Sequence, residues 1–214
     1  MNKIISKEIF KKNKINTPDY FVLKKENFNR KQLEKIIKRK KMKFPIVVKP
    51  TNEGSSIGVK ICKNYFYLNK FTKILFKLYD ELMFEPFIGG QEIQVAVING
   101  IPLGAIELKP KRQFYDYKAK YSKSANTEHI MPANITNRKY KEALKIAKKA
   151  HKALQCMGIT RSDFKFFNNK FFLLEINTQP GMTSLSLVPE IAQYKGISFE
   201  NLVEKILLNA GINR

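Results

Sequence analysis

The sequence predicts an α+β protein of two lobes, and three observations carry the prediction. In residues 1–90, short apolar runs bounded by Pro, Gly and Asn alternate with basic segments whose apolar residues recur at helical spacing. From Gln91 the texture changes to two long runs flanking Asn99-Gly100, the strongest short hairpin signal. A phenylalanine-rich stretch over residues 158–177 then doubles back near Asn168-Asn169. The lobes are accordingly placed at 1–90 and 91–214, with the boundary near residues 88–91.

In chain order, Ile4, Ile5, Ile9 and Phe10 sit at helical spacing in residues 2–13, and Asn16-Thr17-Pro18-Asp19 breaks that helix. Residues 20–23 read as a strand, 31–41 as a basic helix on Leu33, Ile36 and Ile37, and 44–50 as a buried strand ending at Lys49. A Gly/Ser loop, 51–58, leads to a strand at 59–62, an aromatic amphipathic helix at 65–79 and a strand at 82–85 closed by Pro86. Beyond the Asn-Gly hairpin, 109–134 is a long polar, aromatic segment, and loops of that length in a compact domain are usually functional or disordered. Thr136 caps a helix running to about Met157, with Ala143, Ile146, Ala147, Ala150 and Leu154 on its apolar side. The last helix, from Phe199 to about Asn209, follows the break at Gly196.

The chain has 214 residues, 43% of them hydrophobic, with 16 Phe, enough for a sizeable core. Its 40 basic and 18 acidic residues leave a net charge of +22. The basic side is nearly all lysine, with Arg only at 30, 39, 112, 138, 161 and 214. A Lys/Asn/Ile/Phe bias is also what AT-rich coding produces, and a nucleic-acid binder more often shows arginine and clustered aromatic–basic motifs, so nucleic-acid binding is not the expected role. Cys62 and Cys156 lack metal spacing and read as buried thiols in a reducing compartment. No apolar run reaches signal-peptide or membrane-span length, so the expected location is cytoplasmic, without a membrane partner.

The hairpin admits two registers. A two-residue turn at Asn168-Asn169 pairs Phe167 with Lys170 and puts Asp163 and Glu175 on opposite faces. A three-residue loop pairs Phe167 with Phe171, sets Asp163 across from Glu175, and makes one apolar face of Phe164, Phe166, Phe172, Leu174 and Ile176. Burial favours the second, because an unpaired carboxylate on a core face is costly. Asp163, Glu175 and Asn177 then converge as oxygen ligands suited to Mg²⁺ or Mn²⁺, with Arg161 on the same face as a bidentate fork for an anion. The plain alternative is a solvated sheet face with incidental charges.

Loop 51–58 is rich in backbone N–H donors and hydroxyls, which suits phosphate, although it lacks the Walker pattern and an ordinary hairpin loop reads equally well. Lys49, ending a buried strand just before it, wants a counter-anion such as a phosphate. Residues 84–88 read either as a linker or as a purine slot whose backbone reads the adenine edge, with Glu92 holding the ribose hydroxyls.

In this order the pieces resemble the ATP-grasp ligases, and within them the D-alanine–D-alanine ligases. The matching stretches are FPIVVKPTNEGSSIGV, EPFIGGQEIQVAV, FYDYKAKY, the spaced HIMPA, RSDF and LLEINTQPGMTSLSLVPEIA. The resemblance implies an ATP-grasp fold, two α+β lobes gripping ATP between antiparallel sheets, that joins two D-alanines through an acyl phosphate for peptidoglycan synthesis. It implies that Lys3, Lys49 and Lys120 contact phosphates, and that Glu85, Ile88 and Glu92 contact adenosine. Asp163, Glu175 and Asn177 would hold two Mg²⁺ or Mn²⁺ ions, while Arg161 and the Gly181 N–H would stabilise the tetrahedral oxyanion. Ser186 and Leu187 would receive the second D-alanine's carboxylate, and residues 114–121 would form a lid whose Tyr121 meets Ser55.

The sequence departs from that pattern at its front. Such ligases usually begin with a Rossmann-like domain that binds the first D-alanine's amine and supplies much of a dimer contact, and Met1-Asn2-Lys3 matches the start of their second domain. A fragment, a misplaced start, a split gene whose partner chain is the N-terminal domain, and a decaying gene all fit, as does a homodimer. The rival readings are another ATP-grasp carboxylate–amine ligase and a non-catalytic ATP-binding fragment.

Overall fold

The computed structural model describes residues 2–54, 56–110, 127–183 and 185–211, and the chain falls into two compact units. One is Met1–Ile4 with Pro18–Ile88, the other Ile5–Thr17 with Gly89–Arg214. Residues 5–17, grouped with the first lobe on sequence, thus pack with the larger unit: Phe10 and Ile15 are buried in its core. They belong to, or follow, α1 (Lys3–Lys12).

The smaller unit is a four-stranded antiparallel sheet of order β1-β4-β2-β3, formed by β1 (Phe21–Lys24), β2 (Ile46–Pro50), β3 (Lys60–Cys62) and β4 (Glu81–Pro86). Two helices cover one face, α2 (Arg30–Arg39) and α3 (Tyr65–Leu75). Both begin where an asparagine caps them: Asn29 accepts from Lys31 N at 2.9 Å, and Asn64 from Tyr67 N at 3.2 Å. Leu33, Ile37, Leu68 and Leu75 pack on Ile46, Val48, Leu82 and Phe84, and Phe21 stacks on Phe84 with ring centroids 4.8 Å apart. Strand alternation therefore turns Val47, Lys49, Met83 and Glu85 to the opposite face. Cys62 lies in this core, where burial pushes its thiol up to about 12.

In the larger unit five antiparallel strands run in the order β7-β6-β5-β8-β9. They are β5 (Gln91–Ile98), β6 (Ile101–Lys109), β7 (Glu128–Ile130), β8 (Ile159–Phe167) and β9 (Lys170–Asn177). The Asn99-Gly100 turn joins β5 to β6 with φ of 50° and 75°, the left-handed pair of a type I′ hairpin. Helix α4 (Asn137–Ala153), capped by Thr136, covers one face with Ala143, Ala147 and Ala150 against Ile93, Val95 and Phe164. The other face carries α5 (Leu187–Tyr194) and α6 (Phe199–Leu207), whose Val188, Ile191 and Leu202 pack on Ala96, Ile98 and Ile106. Among the described residues, no helix is long and apolar enough to cross a membrane.

The β8–β9 hairpin corrects the expected register. Its tip is the two-residue turn, with Phe167 opposite Lys170 and Asn168 and Asn169 at φ 47° and 61°. A bulge between Asp163 and Phe164 then changes phase, since Phe164 pairs with Leu173 but Asp163 with Glu175, leaving Leu174 as the extra residue. Both registers therefore occur, one on each side of the bulge. The buried face is Phe164, Phe171, Leu173 and Ile176 with Phe166 partly covered, and the expected Phe172 and Leu174 are not part of it. The phase change lets the tip bury phenylalanines while the base keeps its carboxylates off the core.

Beneath this sheet His151 of α4 is buried, its Nδ1 2.8 Å from Thr160 Oγ1. Burial holds its imidazole below the ordinary 6.5, partly opposed by its backbone hydrogen bond with Cys156. The unfolded chain thus takes up this proton more readily, and the stability contributed by neutral His151 is lost as pH falls through 6.5. Urea unfolding at pH 7.5 and 5.5 should show a smaller acid loss for His151→Gln than for wild type.

Candidate functional site

In the smaller unit, Lys49 and Glu85 stand on adjacent strands of the face turned away from the helices, and the Lys49 ammonium donates to Glu85 Oε1. The pair is nearly dry, with side chains 8% and 4% exposed. Lys3 is buried beside the following loop: its backbone N–H donates to Thr51 O at 3.1 Å and its ammonium to Glu53 O. Lys3 thus braces the loop that follows Lys49. Ile88 is half-buried just past β4, and Ser55 lies outside the described residues.

The larger unit gathers more of the chemistry. Arg161 faces Asn177 across β8–β9, and Asp163 faces Glu175. Arg161 Nε donates to Asp163 Oδ1 at 2.8 Å and Nη2 to Oδ2 at 3.0 Å, a bidentate fork on a carboxylate that is almost fully buried. Asn177 Oδ1 accepts from Gln179 N at 3.0 Å, which orients the amide and starts the turn toward Gly181. On the other flank β8 pairs with β5, so that Lys165 lies opposite Glu92 and donates to its Oε2 at 2.9 Å. Asp163 lies opposite Gln94 in the same register.

Two carboxylates and one amide offer hard oxygens from adjacent strands, a donor set that fits Mg²⁺ or Mn²⁺ completed by phosphate or water. Among the described residues, no three of His, Cys, Asp and Glu cluster closely enough to hold a metal by themselves, so the set depends on the Asn177 amide and on ligand or water oxygens. Gly181 and Ser186 are also brought together, since a Cβ on Gly181 would lie 2.8 Å from Ser186 Oγ. Ser186 precedes the first turn of α5, and its Oγ accepts from Thr183 N at 3.0 Å. Leu187 and Val188 carry backbone N–H groups at the start of that helix, which suit a carboxylate, whereas Pro189 has none. Lys120, Tyr121 and the expected lid at 114–121 lie outside the described residues.

Sequence reasoning put Lys165 on the charged face without a role and passed over Gln94. Both gain significance from the β5–β8 pairing, which joins segments about seventy residues apart that carry no local mark of each other. In each unit the cations and carboxylates are paired: Lys49 with Glu85 in the smaller, and Arg161 with Asp163 and Lys165 with Glu92 in the larger.

A family model described as "D-ala D-ala ligase C-terminus" matches residues 9–208. The D-alanine--D-alanine ligase of Pelagibacter ubique (strain HTCC1062) is 56% identical over 214 residues, 100% of this chain and 69% of that protein. Among solved structures, the D-alanine--D-alanine ligase of Bacillus anthracis complexed with ATP superposes with a TM-score of 0.80 at 29% identity, covering 97% of this chain and 65% of that one. The VanG D-Ala:D-Ser ligase of Enterococcus faecalis gives 0.84 at 27% identity, over 97% and 60%. The chain spans about two thirds of the length of the relatives it matches.

Proposed function

The chain belongs to the D-alanine–D-alanine ligase family and has its ATP-grasp fold, and from that premise we propose that it supplies the nucleotide-binding and phosphoryl-transfer machinery of such a ligase. The reaction is the ATP-dependent joining of two D-alanines for peptidoglycan precursors, in the cytoplasm. The observation that carries this reading is the cross-strand set of Arg161, Asp163, Glu175 and Asn177 on one sheet face.

Lys49 and Lys3 bind phosphate oxygens, with Lys120 completing them, while Glu85, Ile88 and Glu92 orient the adenosine. Asp163, Glu175 and Asn177 would hold two Mg²⁺ or Mn²⁺ ions, which would supply charge neutralisation at the phosphates. A carboxylate oxygen of the first D-alanine attacks the γ-phosphorus, and ADP leaves. The second D-alanine's amine then attacks the acyl carbon, loses a proton and expels inorganic phosphate. Arg161 and the Gly181 N–H stabilise the oxyanion of that tetrahedral intermediate. Ser186 and Leu187 hold the second carboxylate, and the exclusion of water from the acyl phosphate is assigned to Tyr121 and Ser55, which lie outside the described residues. Contacts to the first D-alanine's amine fall to the part of such ligases outside the matched length.

Calorimetric titration with Mg²⁺ and a non-hydrolysable ATP analogue tests the site. Saturable binding is expected for wild type, weakened at least tenfold or so in Glu175→Ala, the scale seen when metal sites lose supporting groups. A folded wild-type chain that binds no nucleotide, or a variant that binds as well, would refute the assignment.

A further inference from the structure

Gln94 is fully buried, and among the described residues neither its Nε2 nor its Oε1 has a hydrogen-bond partner. An amide left so is destabilising, and an apolar side chain of equal volume would avoid the cost. Its position makes the waste informative. In β5 it alternates onto the face of Glu92 and Ala96, between Ile106 of β6 and Asp163 of β8. Directly opposed strand residues have Cβ atoms about 4.5–5.5 Å apart, so a glutamine amide has the reach to meet a neighbouring carboxylate. It makes no such bond in this arrangement, in which Arg161 donates to both Asp163 oxygens.

That fork competes with the roles proposed above, on which this inference rests. It uses two of the five Arg161 N–H donors and fixes the guanidinium plane on Asp163, and it occupies one acceptor site on each Asp163 oxygen, so turning Arg161 toward an oxyanion or Asp163 toward a cation weakens it. When Arg161 turns to its anion, one Asp163 oxygen goes to the cation, and the other is left bare in a place where the residue is 5% exposed. A bare carboxylate oxygen there needs a donor.

We propose that Gln94 is a positioning residue that takes over Asp163 when Arg161 leaves, its amide N–H donating to the carboxylate oxygen that does not face the cation. The unmet amide of the unliganded state is thus a held-back partner, and exchanging donors keeps Asp163 in one orientation through the change.

Gln94→Met, with Gln94→Leu as a second variant, separates this from a structural role because the two expected effects have opposite signs. Without ligand, thermal unfolding should occur at a higher temperature than in wild type, since the unmet amide is gone. Affinity for the non-hydrolysable ATP analogue should fall about tenfold in Mg²⁺ and stay unchanged in EDTA. A lower or unchanged melting temperature in both variants overturns the proposal, and so does affinity that is unchanged or equally weakened with and without Mg²⁺. Should wild type bind the analogue equally well in Mg²⁺ and EDTA, Asp163 is no metal ligand and this inference falls with that reading. Where wild type responds to Mg²⁺ and Gln94→Met responds identically, this inference alone falls.

Discussion

Lys49→Met is expected to unfold far more readily than wild type and to lose nucleotide binding. The ammonium and the Glu85 carboxylate are both nearly dry, and taking the cation from such a pair leaves a buried carboxylate without that counter-charge, at a cost of up to about 3–5 kcal/mol. Neutralising both ends costs much less, because a buried pair roughly repays its own desolvation and little more. Lys49→Met combined with Glu85→Leu should therefore recover most of the stability in urea unfolding while remaining unable to bind the ATP analogue. Recovery of binding along with stability would mean that Lys49 supports the sheet and does not touch phosphate. A single variant as stable as wild type would mean that the pair is solvated in solution.

The second large effect lies at Gly90, whose φ is +80°. A Cβ there would come 2.2 Å from the Phe166 carbonyl oxygen and 3.1 Å from Phe167 Cβ, so the β5 entry and the end of β8 would have to separate. Backbone meets backbone in this contact, and no rotamer relieves it. Gly90→Ala should cost about 3 kcal/mol or more, combining left-handed strain with the collision. Gly89→Ala is the control, since its Cβ would find its nearest atoms at 3.9 Å, on the Phe167 ring. Urea midpoints should separate the two variants widely. Because Lys165 adjoins the displaced Phe166, Gly90→Ala should also weaken nucleotide binding.

What was legible in the sequence followed from local signals. Asn99-Gly100 forces its own turn, Thr136 caps its own helix, and the Asp163–Glu175 pairing follows from keeping carboxylates out of a core. Where two local rules conflicted, the reading could choose only one of them. Asn168-Asn169 favours a two-residue turn and Asp163 favours the other phase, and a bulge satisfies both at the cost of one unpaired residue. Helix α5 went unseen because it is eight residues long, contains Pro189, and starts in a polar stretch without a side-chain cap. The Lys49–Glu85 and Gln94–Asp163 neighbourhoods depend on strand order, which puts β4 beside β2 and β8 beside β5. No short window of sequence carries that order.

The bulge at Asp163/Phe164 makes the β8–β9 tip and the carboxylate-bearing base separately adjustable. In a regular ladder, inserting or deleting one residue at the turn would rotate every side chain below it to the wrong face. Here the phase is reset between the tip and the carboxylates, so drift at Asn168 and Asn169 need not reach the chemistry. That exposed tip is the place to graft a label, an affinity tag or a second domain onto this lobe while its carboxylates stay in line.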